Sequence, residues 1–381
     1  MRNIAAISHS ILSPMGINSA QCFEQVRRQA TAVKQYTDAS VSDAPFYAAR
    51  LLPDQIMMLE SRYRSDSEPL SPFEQMCIYV MEQALSQTNI DPASDDCVLL
   101  LSSTKGNIEW LNKESDERIS LHHSAKLIAG HFSMKTKPVV VSNACISGSL
   151  ALINGARFIE SGKYKTAIVV GCDRFSSFVL AGFKSFKALA HEACKPFDKN
   201  RTGINLGEAA ACIILSSNEE DALNRPLAYL SGGGVSNDAN HLSGPSRTGE
   251  ELSAAINTAI HQAGINFQQI DMISAHGTAT AFNDEMEAKA LHLSKVNTAP
   301  LHSLKSYVGH TLGAAGVIES IIACMAMNEG ILPASLGFEE LGVSENVNVI
   351  KETQQQETNY ILKTASGFGG CNAALVWKKY G

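Results

Sequence analysis

The sequence predicts an α/β fold, and three observations carry that prediction. Strand-like runs rich in Val and Ile alternate with amphipathic stretches of helical length along the whole chain. No stretch rich in Pro, Gly and Ser separates independent modules, so the 381 residues read as one compact unit. Two segments also share a layout, in which a reactive residue ends an extended run, a glycine follows three residues later, and a helix closes at a further glycine. These are Cys145, Gly148 and Gly162 in one segment, and His310, Gly313 and Gly330 in the other. Identity between them is negligible, but the pattern suggests an internal duplication that turns two reactive side chains toward each other.

The elements follow in order. The opening MRNIAAISHSILSPMG reads as a strand and a turn. Clear strands then fall at 97–103, 137–144, 165–171, 209–216, 272–276 and 373–379. Their β-branched content predicts a largely parallel sheet buried on both faces. Amphipathic helices are predicted at 71–88, 146–163, 250–264 and 313–330. Three glycines around Phe368 in SGFGGCN make a tight turn before the last strand.

Composition narrows the function. The chain is 45% hydrophobic and 18% charged, enough apolar content for a large core. A net charge of −7 argues against nucleic acid as the main partner, because phosphate binding requires a basic surface. The N-terminus lacks the basic head, apolar stretch and cleavage site of a signal peptide, and no membrane span is expected. The nine cysteines show no CxxC pair and sit mostly in apolar segments, as reduced thiols of a cytoplasmic protein would.

The candidate chemistry begins at Cys145, between VVVSNA and ISGSLALINGA, at a strand-to-helix junction. A helix N-terminus stabilises an anion, so this position is expected to lower the thiol pKa. An inert buried cysteine is the competing reading. His276 ends the strand MISA and is followed by a glycine and small residues, which suits a side chain presented into a cleft. His310 precedes another glycine-rich helix start, with Lys305 five residues before it. A backbone N–H in the turn around Phe368 is placed to serve as an oxyanion donor. His122, His123, His191 and His241 show no ligand spacing, and no metal or organic cofactor is expected.

Taken together, SNACISGS, KPFDKNRTGINLGEAA, AHGTATAFNDEMEA, LKSYVGHTLGAAGVIES and SGFGGCNA, in that order, resemble the β-ketoacyl-ACP synthase family of the thiolase superfamily. The likeness is to the elongating type with a Cys–His–His site and spans about residues 90–380. It implies a thiolase-like fold of duplicated βαβαβαββ halves in five α-β-α-β-α layers. The N-terminal half, 1–220, would carry the nucleophile, and the C-terminal half, 221–381, both histidines. Cys145 matches the acyl-accepting cysteine, His276 and His310 the decarboxylation histidines, and Lys305 the lysine of the same motif. Phe368 resembles the gating aromatic, and the N–H groups of Cys145 and Phe368 would form the oxyanion hole. Asp284, Glu287 and Glu319 match supporting acidic positions, with Glu287 expected to pair with Lys305 and Glu319 to lie behind His310.

The resemblance also implies partners. Acyl carrier protein would deliver both acyl and malonyl groups, docking on cations for which Arg62, Arg64, Lys195, Lys199 and Arg201 are candidates. Family members are dimers through the strand before the nucleophile, which here is KPVVVSNA. The chain is thus expected to form a homodimer, or a heterodimer with a chain-length-factor-like subunit. SNACISG and TKGNIEW differ from the usual family motifs and point toward a type II polyketide or aryl-polyene pathway as much as toward fatty-acid elongation. The alternative function is a non-catalytic, chain-length-determining partner subunit, against which the intact Cys145, His276 and His310 stand.

Overall fold

The computed structural model describes residues 4–64, 69–111, 116–238 and 244–381. Ten strands form its central sheet. They are β1 (Ile4–Leu12), β2 (Cys97–Ser102), β3 (Val139–Val141), β4 (Thr166–Asp173), β5 (Ala209–Ser216), β6 (Ala228–Asn237), β7 (Met272–Ser274), β8 (Leu301–His302), β9 (Tyr360–Gly367) and β10 (Cys371–Lys378). Their spatial order is β8-β7-β9-β10-β6-β1-β5-β4-β2-β3. The two halves meet where Ile4–Ala6 of β1 pairs with 228–230 of β6.

Each half repeats one pattern, with three parallel strands at the outer edge followed by two antiparallel joins toward the centre. The sheet is therefore mixed, where a largely parallel one is expected from the sequence. The tight turn at 368–370 makes β9 and β10 an antiparallel hairpin, and β4 and β5 also pair antiparallel. The expectation missed β6, β8 and β9; β8 is only two residues long, and the other two each have a physical reason. Strand β6 runs through Gly232–Gly234 and has no apolar run there. The glycines are required because a Cβ on Gly232 or Gly234 would lie 2.1 or 2.0 Å from the carbonyl oxygens of Ala259 or Ala255 on the helix packed above. Strand β9 carries Lys363 and Thr364 in its middle, both fully buried.

The alternation of side chains along the strands sorts the core into layers. Leu99, Leu101, Ile168, Val170 and Ile214 face one way, against helices α1 (Pro72–Leu85) and α2 (Leu121–His131). Val98, Leu100, Val169, Ile213 and Leu215 face the other way. There, with Ile361 and Leu375, they enclose helices α3 (Ser147–Glu160) and α7 (Ala315–Glu329). Ile273, Leu362 and Val376 pack outward on α5 (Glu250–Ala263) and α6 (Ala281–Leu293). A helix buried on all sides must be apolar all round. Residues Leu312–Glu329, including α7, are long and apolar enough to cross a membrane by length and composition, but 83% of that stretch is buried inside the protein.

The two central helices touch at their N-terminal ends. A Cβ on Gly148 would lie 2.9 Å from the Gly313 carbonyl oxygen, and one on Gly316 would lie 2.2 Å from the Ser149 nitrogen. This close approach is what brings the segment after Cys145 against the segment after His310. One further helix, α4 (Ser177–Ser185), lies over the mouth of the resulting cleft.

Candidate active site

Cys145 sits in the turn between β3 and α3, two residues before the helix begins. Ala144 takes a left-handed φ of 45°, strain that a non-glycine residue adopts only where its surroundings impose it. Ser147 braces this turn, accepting from the Asn143 N–H (2.8 Å) and donating to the Ala144 carbonyl (2.6 Å). The Cys145 side chain is buried, and burial pushes its thiol up to about 12, with the charge of Lys305 pulling the other way. Burial thus acts against the lowering expected at a helix N-terminus.

His276 leaves the end of β7 with its backbone clamped. Glu287 of α6 accepts from the N–H groups of His276 and Gly277, each at 2.8 Å, and from the Thr364 hydroxyl at 2.5 Å. One turn earlier on α6, Asp284 accepts from the N–H groups of Phe197 (2.7 Å) and Thr278 (2.9 Å), which ties the 195–201 loop to the His276 loop. Burial raises the Asp284 carboxyl to about 6. The side chain of His276 is reached from behind by Lys305, whose Nζ lies 3.3 Å from Nδ1.

The backbone of His310 is gripped by the 205–207 segment. Its N–H donates to the Asn205 carbonyl (2.7 Å), and its own carbonyl accepts from Gly207 (3.0 Å). A Cβ at Gly207 would lie 1.9 Å from the Val308 carbonyl oxygen, so this crossing requires glycine. Both ring nitrogens of His310 are buried and without a hydrogen-bond partner among the described residues. Such orphaned polar atoms in a native interior point to a ligand or a chemical role.

These three side chains converge. The Cys145 thiol and one ring nitrogen each of His276 and His310 lie within 4.8 Å of one another, and the two imidazoles meet edge to face at 5.4 Å. Burial, then the charge of Lys305, holds both imidazoles well below their ordinary pKa. Each ring is thus neutral at neutral pH and offers one N–H and one lone pair. By donor type the set suits a divalent ion. The Lys305 ammonium, however, occupies one nitrogen of His276 and places a positive charge that repels a cation.

A pocket opens above the three side chains. Phe183, Phe186, Phe282 and Ile204 supply its apolar lining, and Thr278, Thr280 and Asn283 its polar groups. Phe368, itself 37% exposed, also lines it, with its ring against Phe183 (5.6 Å) and Phe186 (5.1 Å). The turn carrying Phe368 packs on the nucleophile, since a Cβ at Gly367 would lie 3.0 Å from the Cys145 nitrogen. Cys371, in the same glycine-rich stretch, donates its thiol to the Phe368 carbonyl (3.4 Å).

The supporting residues differ in part from expectation. Lys305 pairs with Glu319 (2.7 Å) and not with Glu287, which spends its oxygens on backbone N–H groups and Thr364. Glu319 lies behind Lys305, and a second buried lysine, Lys363, shares its carboxylate. Among the proposed docking cations, only Arg201 lines the pocket. Its guanidinium is mostly buried and serves the carbonyls of Asp198 (2.9 Å) and Gly342 (2.6 Å). Arg62 pairs with Glu82, Lys195 with Glu192 and Lys199 with Glu340, while Arg64 is exposed, and none of these four lines the pocket. His122, His123 and His191 also lie outside the pocket lining, and His241 falls outside the described residues.

Sequence reasoning missed Asp173, Lys363, Lys187 and the Phe183–Phe186 pair. Asp173, fully buried, accepts from the Gly313 N–H (2.7 Å), the Ser103 hydroxyl (2.7 Å) and the Thr104 N–H (2.9 Å). It therefore ties the end of β4 and the loop after β2 to the segment after His310. Exposed Lys187 lines the pocket mouth. Its position in FKSFKALA carries no motif that would have singled it out.

The N-terminal domain pattern of the beta-ketoacyl synthases matches residues 1–221, and the C-terminal domain pattern matches residues 227–339. The 3-oxoacyl-[acyl-carrier-protein] synthase 2 of Rhizobium meliloti is 27% identical over 100% of the chain and 99% of its own length. The protein of the same name from Vibrio cholerae is 31% identical over 66% of each. Among solved structures, the ishigamide ketosynthase/chain length factor superposes with a TM-score of 0.88 at 25% identity, covering 100% of both chains. A ketosynthase in complex with its chain length factor from Xenorhabdus doucetiae gives 0.81 at 25% identity, covering 99% and 98%.

Proposed function

Because the chain belongs to the β-ketoacyl synthase family, we propose that it is a 3-oxoacyl-[acyl-carrier-protein] synthase that condenses malonyl units onto an acyl group held by Cys145. The observation that carries this reading is the convergence of one thiol and two neutral imidazoles within 4.8 Å at the base of an apolar pocket. The N-terminal half, 1–220, supplies the nucleophile, and the C-terminal half, 221–381, supplies both histidines.

The chemistry follows from the residues. Cys145 attacks the thioester of an acyl carrier protein. His310, with both ring nitrogens free of partners among the described residues, accepts the thiol proton and passes it to the departing carrier thiolate. The acyl group is then held as a thioester of similar energy. Malonyl carrier protein enters and loses CO2, and the N–H groups of His276 and His310 stabilise the enolate oxygen. The enolate carbon attacks the acyl carbonyl, whose oxyanion is held by the N–H groups of Cys145 and Phe368. Collapse expels the Cys145 thiolate, which takes up one proton and completes the cycle.

The pocket lining supports a long, flexible donor arm, with the aromatic rings of Phe183, Phe186 and Phe282 and the hydroxyl and amide groups of Thr278, Thr280 and Asn283. Lys187 at the mouth supplies positive charge for an acidic carrier. A second subunit, either another copy or a chain-length-factor-like protein, would pair along β3, the edge strand of the sheet, where Val139 and Val140 are only half-buried.

Intact-protein mass spectrometry after incubation with a panel of acyl carrier proteins tests the reading. The expected result is a single acyl adduct, and the preferred chain distinguishes a fatty-acid from a polyketide or aryl-polyene donor. No adduct from any donor would move the chain-length-determining partner subunit to the front. His276→Ala is expected to slow malonyl decarboxylation by about 100- to 1000-fold, the usual cost of one oxyanion donor. Acyl uptake by that variant should be largely unchanged, and CO2 release measured beside the adduct separates the two steps.

A further inference from the structure

Two buried lysines share one carboxylate directly behind His276. Lys305 Nζ lies 2.7 Å from Oε1 of Glu319, and Lys363 Nζ makes an ion-pair contact with Oε2 at 2.8 Å, outside hydrogen-bond geometry, while it donates to the Thr364 carbonyl. Both lysines are fully buried, and Glu319 nearly so. Lys363 enters this cluster from the middle of β9, in register with Ser274 on β7, two residues before His276. A fully buried ammonium is costly unless it is paired, and a single carboxylate cannot neutralise two. So unusual an arrangement requires a physical reason.

The reason lies in the tautomer of His276. An ammonium has three donors and no lone pair, so the Lys305–Nδ1 contact makes Nδ1 the acceptor and puts the ring proton on Nε2. That is the tautomer that leaves His276 with an N–H to donate beside Cys145 and His310. Lys305 keeps it only while Glu319 draws on the ammonium with a single oxygen. We propose that Lys363 is a positioning residue for decarboxylation, occupying Oε2 of Glu319 so that Lys305 stays directed at His276 Nδ1. This rests on the ketosynthase reading above.

Without Lys363, Oε2 of a buried carboxylate loses its counter-charge. The carboxylate then turns both oxygens onto Lys305 and pulls the ammonium from Nδ1. His276 is released to the other tautomer, whose lone pair faces the enolate oxygen and repels it. A second consequence concerns pH. The charged and titratable groups around the two imidazoles are Lys305, Lys363, Glu319, Glu287, Asp284 and Cys145, together with each ring on the other. His302 lies on the far side, near Glu319 and Lys363. Positive charge at Lys363 adds to burial and to Lys305 in holding both rings neutral. Deleting that charge raises the proton affinity of both rings, so the acid limb of decarboxylation moves to higher pH.

The test compares wild type, Lys363→Met and the double variant Lys363→Met/Glu319→Gln. Cys145 acylation is read by intact mass, and CO2 release from malonyl carrier protein is read between about pH 5.5 and 8. The expected result for Lys363→Met is acylation close to wild type, decarboxylation reduced about tenfold or more, and an acid limb shifted upward. The double variant removes the carboxylate that would capture Lys305 and is expected to regain decarboxylation. It also carries the test if the single variant is too unstable to purify. Parallel loss of acylation and decarboxylation, an unshifted acid limb, or a double variant that acylates but does not decarboxylate would overturn the proposal. Failure of the wild type to acylate would instead overturn the ketosynthase reading on which it stands.

Discussion

Cys145→Ala is expected to take up no acyl group from any carrier donor and to condense on the order of 10⁴-fold more slowly than wild type or worse. Malonyl decarboxylation should persist, because the groups that stabilise the enolate, His276 and His310, are untouched. The size of the effect follows from the absence of a substitute nucleophile. Of the nearby thiols, Cys371 is directed to the Phe368 carbonyl and raised by burial to about 11, and Cys194 is directed to the Lys305 carbonyl and raised by burial to about 12. Mass spectrometry of the variant beside wild type checks the first claim, and CO2 release checks the second. An adduct that survives in the variant would transfer the nucleophile's role to Cys371.

The wild-type pH profile adds a second reading of the same thiol. With the resting thiol pushed up to about 12, an unassisted attack would speed up about tenfold per pH unit from 7 to 9. Proton transfer to neutral His310 removes that dependence. Acylation is therefore expected to be nearly flat over this range.

Glu319→Ala is expected to cost about 3–5 kcal/mol of stability, because it strands Lys305 and Lys363 as buried ammoniums without a counter-ion. Chemical denaturation at neutral pH measures this directly. The pH dependence has a definite sign. Burial works against the Glu319 charge, but Lys305 and Lys363 together outweigh it and hold the carboxyl below its ordinary value. A carboxyl with a depressed folded pKa adds stability above its unfolded value, near 4.3, and loses it as pH falls through the folded value. Wild type should therefore lose an advantage over Glu319→Ala as the solution is acidified through that window. An unchanged difference between the two at pH 7 and at low pH would contradict the assignment of charge in the cluster.

Much of the fold was legible because its signals are local. Runs such as CVLLLS and AAACIILS are apolar on both faces, and a strand buried between two helical layers has to be. The helix ends were legible for the same reason, with Gly264 and Gly330 in the left-handed conformation that closes α5 and α7. The three reactive residues were marked by the glycines and small side chains around them. Those glycines are required by contacts a reader of the sequence cannot see, such as Gly207 against Val308 and Gly148 against Gly313.

What was legible in the sequence by itself is the alternation of strands and helices, β6, β8 and β9 excepted, and Cys145, His276 and His310 as candidates, since each is written in neighbours a few residues away. The tertiary structure alone decided which charges meet. Nothing local distinguishes Glu287 from Glu319 as the partner of Lys305, or tells that Lys363, in a strand 58 residues further on, joins the same carboxylate. It also decided the direction of the Cys145 shift. Helix position is a local property, whereas burial belongs to the assembled core and depends on every layer packed around the thiol.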